Sequence, residues 1–377
     1  MIRLKIVYIL LATQVFIGIA RGKVVSDLLI PSEAQIVLDE DWSAGTIDPG
    51  KWYILHRKWG KGNNGVVQNN VFLSTDMVNG KNKNVLICRG HGDDYQGSVV
   101  GWQGNKNRVG GVIVSKQFFA SGRYDIVIKI GEVKIKNSGP KDPIRPIGMV
   151  PAIWTYAYRW VQAPEIQAKD FITDIPLYNP HLNRHGYNAN EYWSEIDFPE
   201  FGKNQNLEQG LYNTFMQNKH QSQKNTTSSV IDGQYHTMTT IWRTHLVPMP
   251  DLKDEQFIKY GGYYWIQDKQ ANYENYLGQP FKKLSKDNYS VYKGKSATHY
   301  IDGQFVGSNL QWVPSMAGQL NIGVWFPEWG GEAPWDESFI SVASVKVWQY
   351  NDPGDVHGIL TEDIPSNMDE KGIPSTR

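Results

Sequence analysis

The sequence predicts an all-β protein, a single sandwich of antiparallel strands. Three observations carry that expectation. The 377 residues include Trp 14, Tyr 20 and Phe 13 beside Gly 36; aromatic side chains favour strands and glycines punctuate turns. Short stretches of alternating polarity recur at fairly regular spacing, while no helical period runs beyond two turns. No 20–50-residue repeat is present, which leaves solenoids and propellers without support.

Taken in order, the chain opens on Arg3 and Lys5, then an apolar run from Ile6 to Ile19, with small residues around Gly18-Ile19-Ala20. Residues 1–20 therefore read as a secretory signal peptide, too short for a confident membrane span, with the mature domain over 21–350 and a polar tail over 351–377. No later stretch is apolar enough to cross a membrane. Strands are expected over 38–42, 66–73, 85–88, 112–115, 123–130 and 150–156, then 210–216, 236–244, 297–306, 319–326 and 341–350. Asp302-Gly303 in the ninth of these is a strong hairpin signal. Residues 161–190 and 248–295 read as two insertions. Gly60-Lys61-Gly62-Asn63-Asn64-Gly65 has neither the spacing nor the strand-to-helix setting of a phosphate loop.

Charge and cysteine usage exclude several classes. Lys+Arg (38) equals Asp+Glu (38), so no bulk field draws nucleic acid or an acidic membrane. The single cysteine, Cys88, excludes an intrachain disulfide and a cysteine-rich metal site, and it lies in a strand where a buried inert thiol is expected. No cofactor is implied, no membrane contact is expected once the signal is cleaved, and a monomer is expected.

The chemistry concentrates in Trp193-Ser194-Glu195-Ile196-Asp197-Phe198-Pro199-Glu200. On a strand Glu195 and Asp197 share one face, with Ile196 and Phe198 on the other. Strict alternation would send Glu200 to the Ile196 side. Pro199 cannot donate a ladder hydrogen bond and is at home in a bulge, and one extra residue there returns Glu200 to the acidic face. Two carboxylates astride a glycosidic bond, about 5–5.5 Å apart, are the apparatus of retaining glycoside hydrolysis. Four strand steps span roughly 13 Å, so the side chains must lean together. The competing readings are a solvated acidic face and a cation site, although a hard cation wants more oxygens than one strand offers.

Glu195-Ile196-Asp197-Phe198-Pro199-Glu200 resembles the E-x-D-x-x-E signature of glycoside hydrolase family 16 in its bulge-containing form. Further stretches are similar in order: 39–52, 110–130, Pro151-Ala152-Ile153-Trp154, Tyr235-His236-Thr237 with Trp242, Tyr300-Ile301-Asp302-Gly303, and Val345-Lys346-Val347-Trp348-Gln349. The resemblance implies a β-jelly-roll of two curved sheets with an open cleft on the concave face, and endo-hydrolysis of a β-linked polysaccharide with retention. It implies Glu195 as nucleophile, Asp197 as its electrostatic helper and Glu200 as acid/base. It implies sugar stacking on Trp154 and Trp193, with His236 reaching the catalytic strand. Each of the last three has a structural alternative as a packed side chain. Trp325, Trp329 and Trp335 either line the cleft or pack a loop. Arg108, like Arg57, Arg159 and Arg184, either meets an anionic group on the substrate or sits on the surface.

Two departures bear on the family's properties. Many members hold a structural calcium partly through an Asp before the closing strand, where Ala343 stands here. Phe198-Pro199 replaces the apolar-Met pair common in β-1,3-glucanases, and Ser194 is similar to red-algal galactan hydrolases. An algal galactan (agar, porphyran or carrageenan type) is therefore the expected substrate, with laminarin-type β-1,3-glucan as runner-up. A secreted carbohydrate-binding protein without chemistry and a transglycosylase are the competing functions.

Overall fold

The computed structural model describes residues 28–59, 64–131, 146–160, 191–207, 209–216, 219–226, 230–245, 247–249, 253–260, 263–266, 281–291, 295–314, 317–353 and 355. The expected signal peptide, the insertion 161–190 and most of the tail lie outside them. Among the described residues no helix is long and apolar enough to cross a membrane.

The first strands are β1 (Gln35–Glu40), β2 (Trp52–Ile54), β3 (Val71–Val78), β4 (Lys81–His91), β5 (Gly111–Phe119), β6 (Gly122–Ile130), β7 (Val150–Trp160) and β8 (Glu191–Phe201). Next come β9 (Gln209–Met216), β10 (Lys219–Thr226), β11 (His236–Arg243), β12 (Val247–Met249), β13 (Phe257–Tyr260), β14 (Tyr263–Ile266), β15 (Phe281–Ser285) and β16 (Asn288–Val291). The chain closes with β17 (Ser296–Ile301), β18 (Gln304–Asn309), β19 (Gly318–Trp325) and β20 (Glu337–Gln349). All but β12–β16 form a jelly-roll sandwich of two antiparallel sheets, as the sequence predicts. One sheet has the order β18-β17-β11-β6-β20-β4-β3, with β1 also on β20; the other runs β10-β9-β8-β7-β19-β5-β2.

The core lies between the two sheets because one side of each strand is apolar. Ile113, Ile153, Ile196, Phe198 and Ile322 face Leu86, Tyr124, Ile126, Ile128, Trp242, Ile340 and Val345. Phe198 meets Tyr124 edge to face at 5.2 Å between ring centroids; full burial of such a ring stabilises by roughly 2–3 kcal/mol. Cys88 is fully buried in this core, its thiol pushed far up by burial.

The expected hairpin is present between β17 and β18. Asp302 and Gly303 have φ of 49° and 76°, the left-handed pair that a tight hairpin turn of the favoured twist requires. The region 66–73 is not one strand: Val66 makes an isolated bridge, Gln68–Asn70 is a 3-10 turn, and only then does β3 begin. The insertion 248–295 holds structure that the polar sequence does not announce. Its described part is a separate five-stranded sheet, β12-β16-β15-β14-β13. The start of the tail is tied down, since Asp352 and Asp355 are held by Arg243, Thr244 and Ser121.

Candidate active site

The acidic residues sit on the seven-stranded sheet, on the face turned away from the core. Ala152 of β7 pairs with Glu200 of β8, and Trp154 pairs with Asp197. Two steps on β7 thus oppose three on β8. On the other side, Ile196 pairs with Thr214 and Glu200 with Leu211, four steps against three. One extra residue lies between Asp197 and Glu200, which is the bulge expected at Pro199. Ile196 and Phe198 enter the core, and Glu200 comes round to the face of Glu195 and Asp197. Gly202, at φ 96°, then turns the chain and brings Lys203 close enough for its charge to act on Glu200.

Asp197 is 1% exposed, whereas Glu195 and Glu200 keep part of their surface open. Burial first, then the Glu195 charge, raises the proton affinity of Asp197 well above the carboxylate range, although Asn213 Nδ2 donates to Asp197 Oδ2 at 2.6 Å. Glu200 is likewise pushed well up, by burial and then by Asp197; Lys203 and a hydrogen bond from Trp325 pull it back only in part. Both carboxyls, beside Glu195, thus hold their protons to higher pH than an ordinary Asp or Glu.

The same face carries aromatic rings. Trp154, Val112, Val114, Val150 and Ala152 form a second apolar cluster against which Trp59, Tyr156, Trp325 and Trp329 pack. The rings of Trp59 lie edge-on to both Trp154 and Trp325, at 5.9 and 6.5 Å. Trp154 is 5% exposed, so it supports this face from below more than it lines it. Arg57 is buried with its guanidinium 5.4 Å from the Trp59 ring centre.

Other sequence expectations need correction. His236 does not reach the acidic strand. It begins β11 in the opposite sheet, where its Nδ1 meets Asp302 at 2.7 Å and its Nε2 meets Asp232 at 3.0 Å. Both ring nitrogens are therefore engaged in closing the hairpin end. Arg108 is a loop clamp: its Nε and Nη2 donate to the two oxygens of Asp93 at 2.7 and 3.0 Å. Trp335 is a core residue, fully buried, with Nε1 donating to the Ile147 carbonyl at 2.7 Å. The side chains of Trp193 and Arg159, and all of Arg184, lie outside the described residues. Ala343 packs with Val78, Val85 and Ile87 on the outer side of the eight-stranded sheet. A methyl group in an apolar bed does not fit a calcium site there. Among the described residues no group of three or more His, Cys, Asp or Glu is placed to hold a metal ion.

Sequence reasoning missed Asn213, Lys203, Trp59 and Tyr156. Each is brought to this face by strand register or by a turn, and neither is written in local sequence.

No protein-family model matches the chain, and no curated protein does. Solved structures that are similar include a prokaryotic β-1,3-1,4-glucanase (lichenase) from a mouse hindgut metagenome, 14% identical, covering 84% of this chain and 98% of that one at TM-score 0.45. The laminarinase catalytic domain of Thermotoga maritima is 13% identical, covering 84% and 99% at TM-score 0.45. Porphyranase B of Zobellia galactanivorans is 12% identical, covering 84% and 93% at TM-score 0.44. At such identities and scores the functional reading rests on the residues themselves.

Proposed function

We propose that the protein is a secreted, endo-acting, retaining glycoside hydrolase of a β-linked polysaccharide. The observation that carries this reading is the bulge that puts Glu195, Asp197 and Glu200 on one aromatic-lined face. A solvated acidic face does not bury its middle carboxyl to 1% exposure, and among the described residues no group of three or more His, Cys, Asp or Glu is placed to hold a metal ion.

The mechanism assigns each acid a role. A carboxylate oxygen of Glu195 attacks the anomeric carbon as the glycosidic C–O bond breaks, and the leaving oxygen takes the Glu200 proton. Water then gives a proton to Glu200, attacks the anomeric carbon and frees Glu195. The raised proton affinity of Glu200 suits an acid that must stay protonated until that moment. Asp197, protonated beside Glu195, hydrogen-bonds it and favours its ionised form. Sugar rings present C–H bonds to the aromatic side chains of this face.

The finer reading is an algal galactan as substrate, supported by Ser194 and by Phe198-Pro199 in the signature. Reducing-end release over laminarin, mixed-linkage glucan, agarose, porphyran and carrageenans tests it: activity led by laminarin replaces the galactan with β-1,3-glucan. Glu195→Gln is expected to abolish turnover while oligosaccharide binding persists, and a variant that still turns over sinks the mechanism. Secretion rests on residues 1–20, and the first residue of the protein recovered from culture medium checks the cleavage.

A further inference from the structure

Asp197 is served unequally at its two oxygens. Oδ2 accepts from Asn213 Nδ2 at 2.6 Å. Oδ1 is buried and receives no hydrogen bond from a donor group, and the carboxyl as a whole has Glu195 as its acidic neighbour. Two carboxyls in contact cannot both be ionised away from water, and the proton falls to the more buried one, Asp197. Which oxygen carries it is decided next door. Ser222 Oγ donates to Asn213 Oδ1 at 2.6 Å, which turns the amide so that its NH₂ faces Asp197. An oxygen that accepts a strong hydrogen bond is not the one that bears the proton.

We propose that Asn213, oriented by Ser222, is a positioning residue that fixes the Asp197 proton on Oδ1, where it is donated to Glu195. The strands support the relay. Ser222 pairs directly with Asn213 across β10 and β9. Its neighbours Gln221 and Gln223 point the other way and bind the opposite sheet: Gln221 Oε1 accepts from the amides of Leu310 and Gln311, each at 2.8 Å, and Gln223 Nε2 donates to the Ser308 carbonyl. The edge strand that carries Ser222 is thereby stitched to β18 and its turn. Charged and titratable groups around Asp197 on this face are Glu195 and Glu200 on its own strand, Tyr156 on β7, and His220 and Lys224 on β10, with Lys203 beside Glu200.

The consequence for rate rests on the hydrolase reading, but the proton placement has its own readout. The infrared difference between wild type and Asp197→Asn at neutral pH is expected to isolate the C=O stretch of one protonated carboxylic acid, that of Asp197. In Asn213→Ala that band moves to higher frequency, because its C=O no longer accepts a hydrogen bond. Ser222 is exposed, so Ser222→Ala keeps the fold and moves the band less in the same direction, and Ser222→Thr restores it. In parallel, the acid limb of the kcat/KM profile moves up by roughly one pH unit in Asn213→Ala, because the Asp197 proton is no longer held on the one oxygen and is donated to Glu195 for only part of the time. A carboxylic-acid spectrum left unchanged by Asp197→Asn, or an Asp197 band that stays in place in both Asn213→Ala and Ser222→Ala, overturns the proposal. So does a fall in kcat/KM with the acid limb unmoved. A wild-type protein that shows the infrared pattern yet releases no reducing ends sinks the hydrolase reading and leaves the proton placement standing.

Discussion

Two regions of this molecule bury carboxyls, and they treat them in opposite ways. Where the tail meets the eight-stranded sheet, Asp352 accepts from Arg243 Nε and Nη2, each at 2.8 Å, and from the Thr244 amide at 2.9 Å. Asp355 beside it accepts from the Ser121 amide and hydroxyl and from the Thr244 hydroxyl. On β8, Asp197 has one donor for two oxygens and faces another acid. The corner is an anchor, because a buried carboxylate is tolerated once its lone pairs are filled, although burial still raises the proton affinity of Asp355. The strand leaves one oxygen of Asp197 without a donor, which costs stability and raises its proton affinity. Such a deficit is the physical mark of a site built for chemistry.

The contrast can be broken or sharpened by substitution. The largest effect is expected on the acidic strand: Glu200→Gln lowers kcat on native polysaccharide about 10²- to 10⁴-fold, with the circular dichroism spectrum unchanged. At the anchor, Arg243→Ala removes the cation from an Asp352 side chain that is 5% exposed, and a loss of about 2 kcal/mol in urea unfolding is expected. Asp197→Asn should do the reverse. An acid whose proton affinity is raised by folding binds a proton that the unfolded chain has released, so stability falls as pH climbs above about 4. The amide removes that penalty, and a melting temperature about 2–4 °C higher at pH 7, converging with wild type below pH 4, would show it. If Asp197→Asn instead destabilises at pH 7, the two regions are not opposites.

The smallest effect belongs to His236. Burial works against its charge, but Asp302 and Asp232 outweigh burial and raise its proton affinity. Its contribution is complete below about pH 6.5 and is lost as pH rises through the folded-state value. His236→Gln should flatten the stability profile across that window, measured by denaturant midpoints at several pH values.

How much of this was legible in sequence follows from what alternation encodes. Along β8 the apolar Ile196 and Phe198 fixed the faces, and Pro199 marked the place where the pattern slips. Asp302-Gly303 announced its turn by chemistry that few other pairs supply. β10 was invisible, because Lys-His-Gln-Ser-Gln-Lys-Asn-Thr is polar on both faces, as an exposed edge strand is free to be. Asn213 was out of reach for a different reason: its contact with Asp197 depends on the register of β9 against a bulged neighbour. Trp154, Trp325 and Trp335 are alike as letters. Only the sheet decides that Trp335 faces the core and that Trp325 turns its N–H to Glu200.

The lone buried thiol has a practical use. Cys88 is inaccessible in the folded protein, and its raised proton affinity keeps it out of the reactive thiolate form. A cysteine introduced at an exposed position such as Phe305, 52% exposed at the β17–β18 hairpin, would take a maleimide dye or a spin label without background. A second label on the edge strand β10 would need no prior removal of native cysteine. The molecule is thus ready for distance spectroscopy between its two sheets.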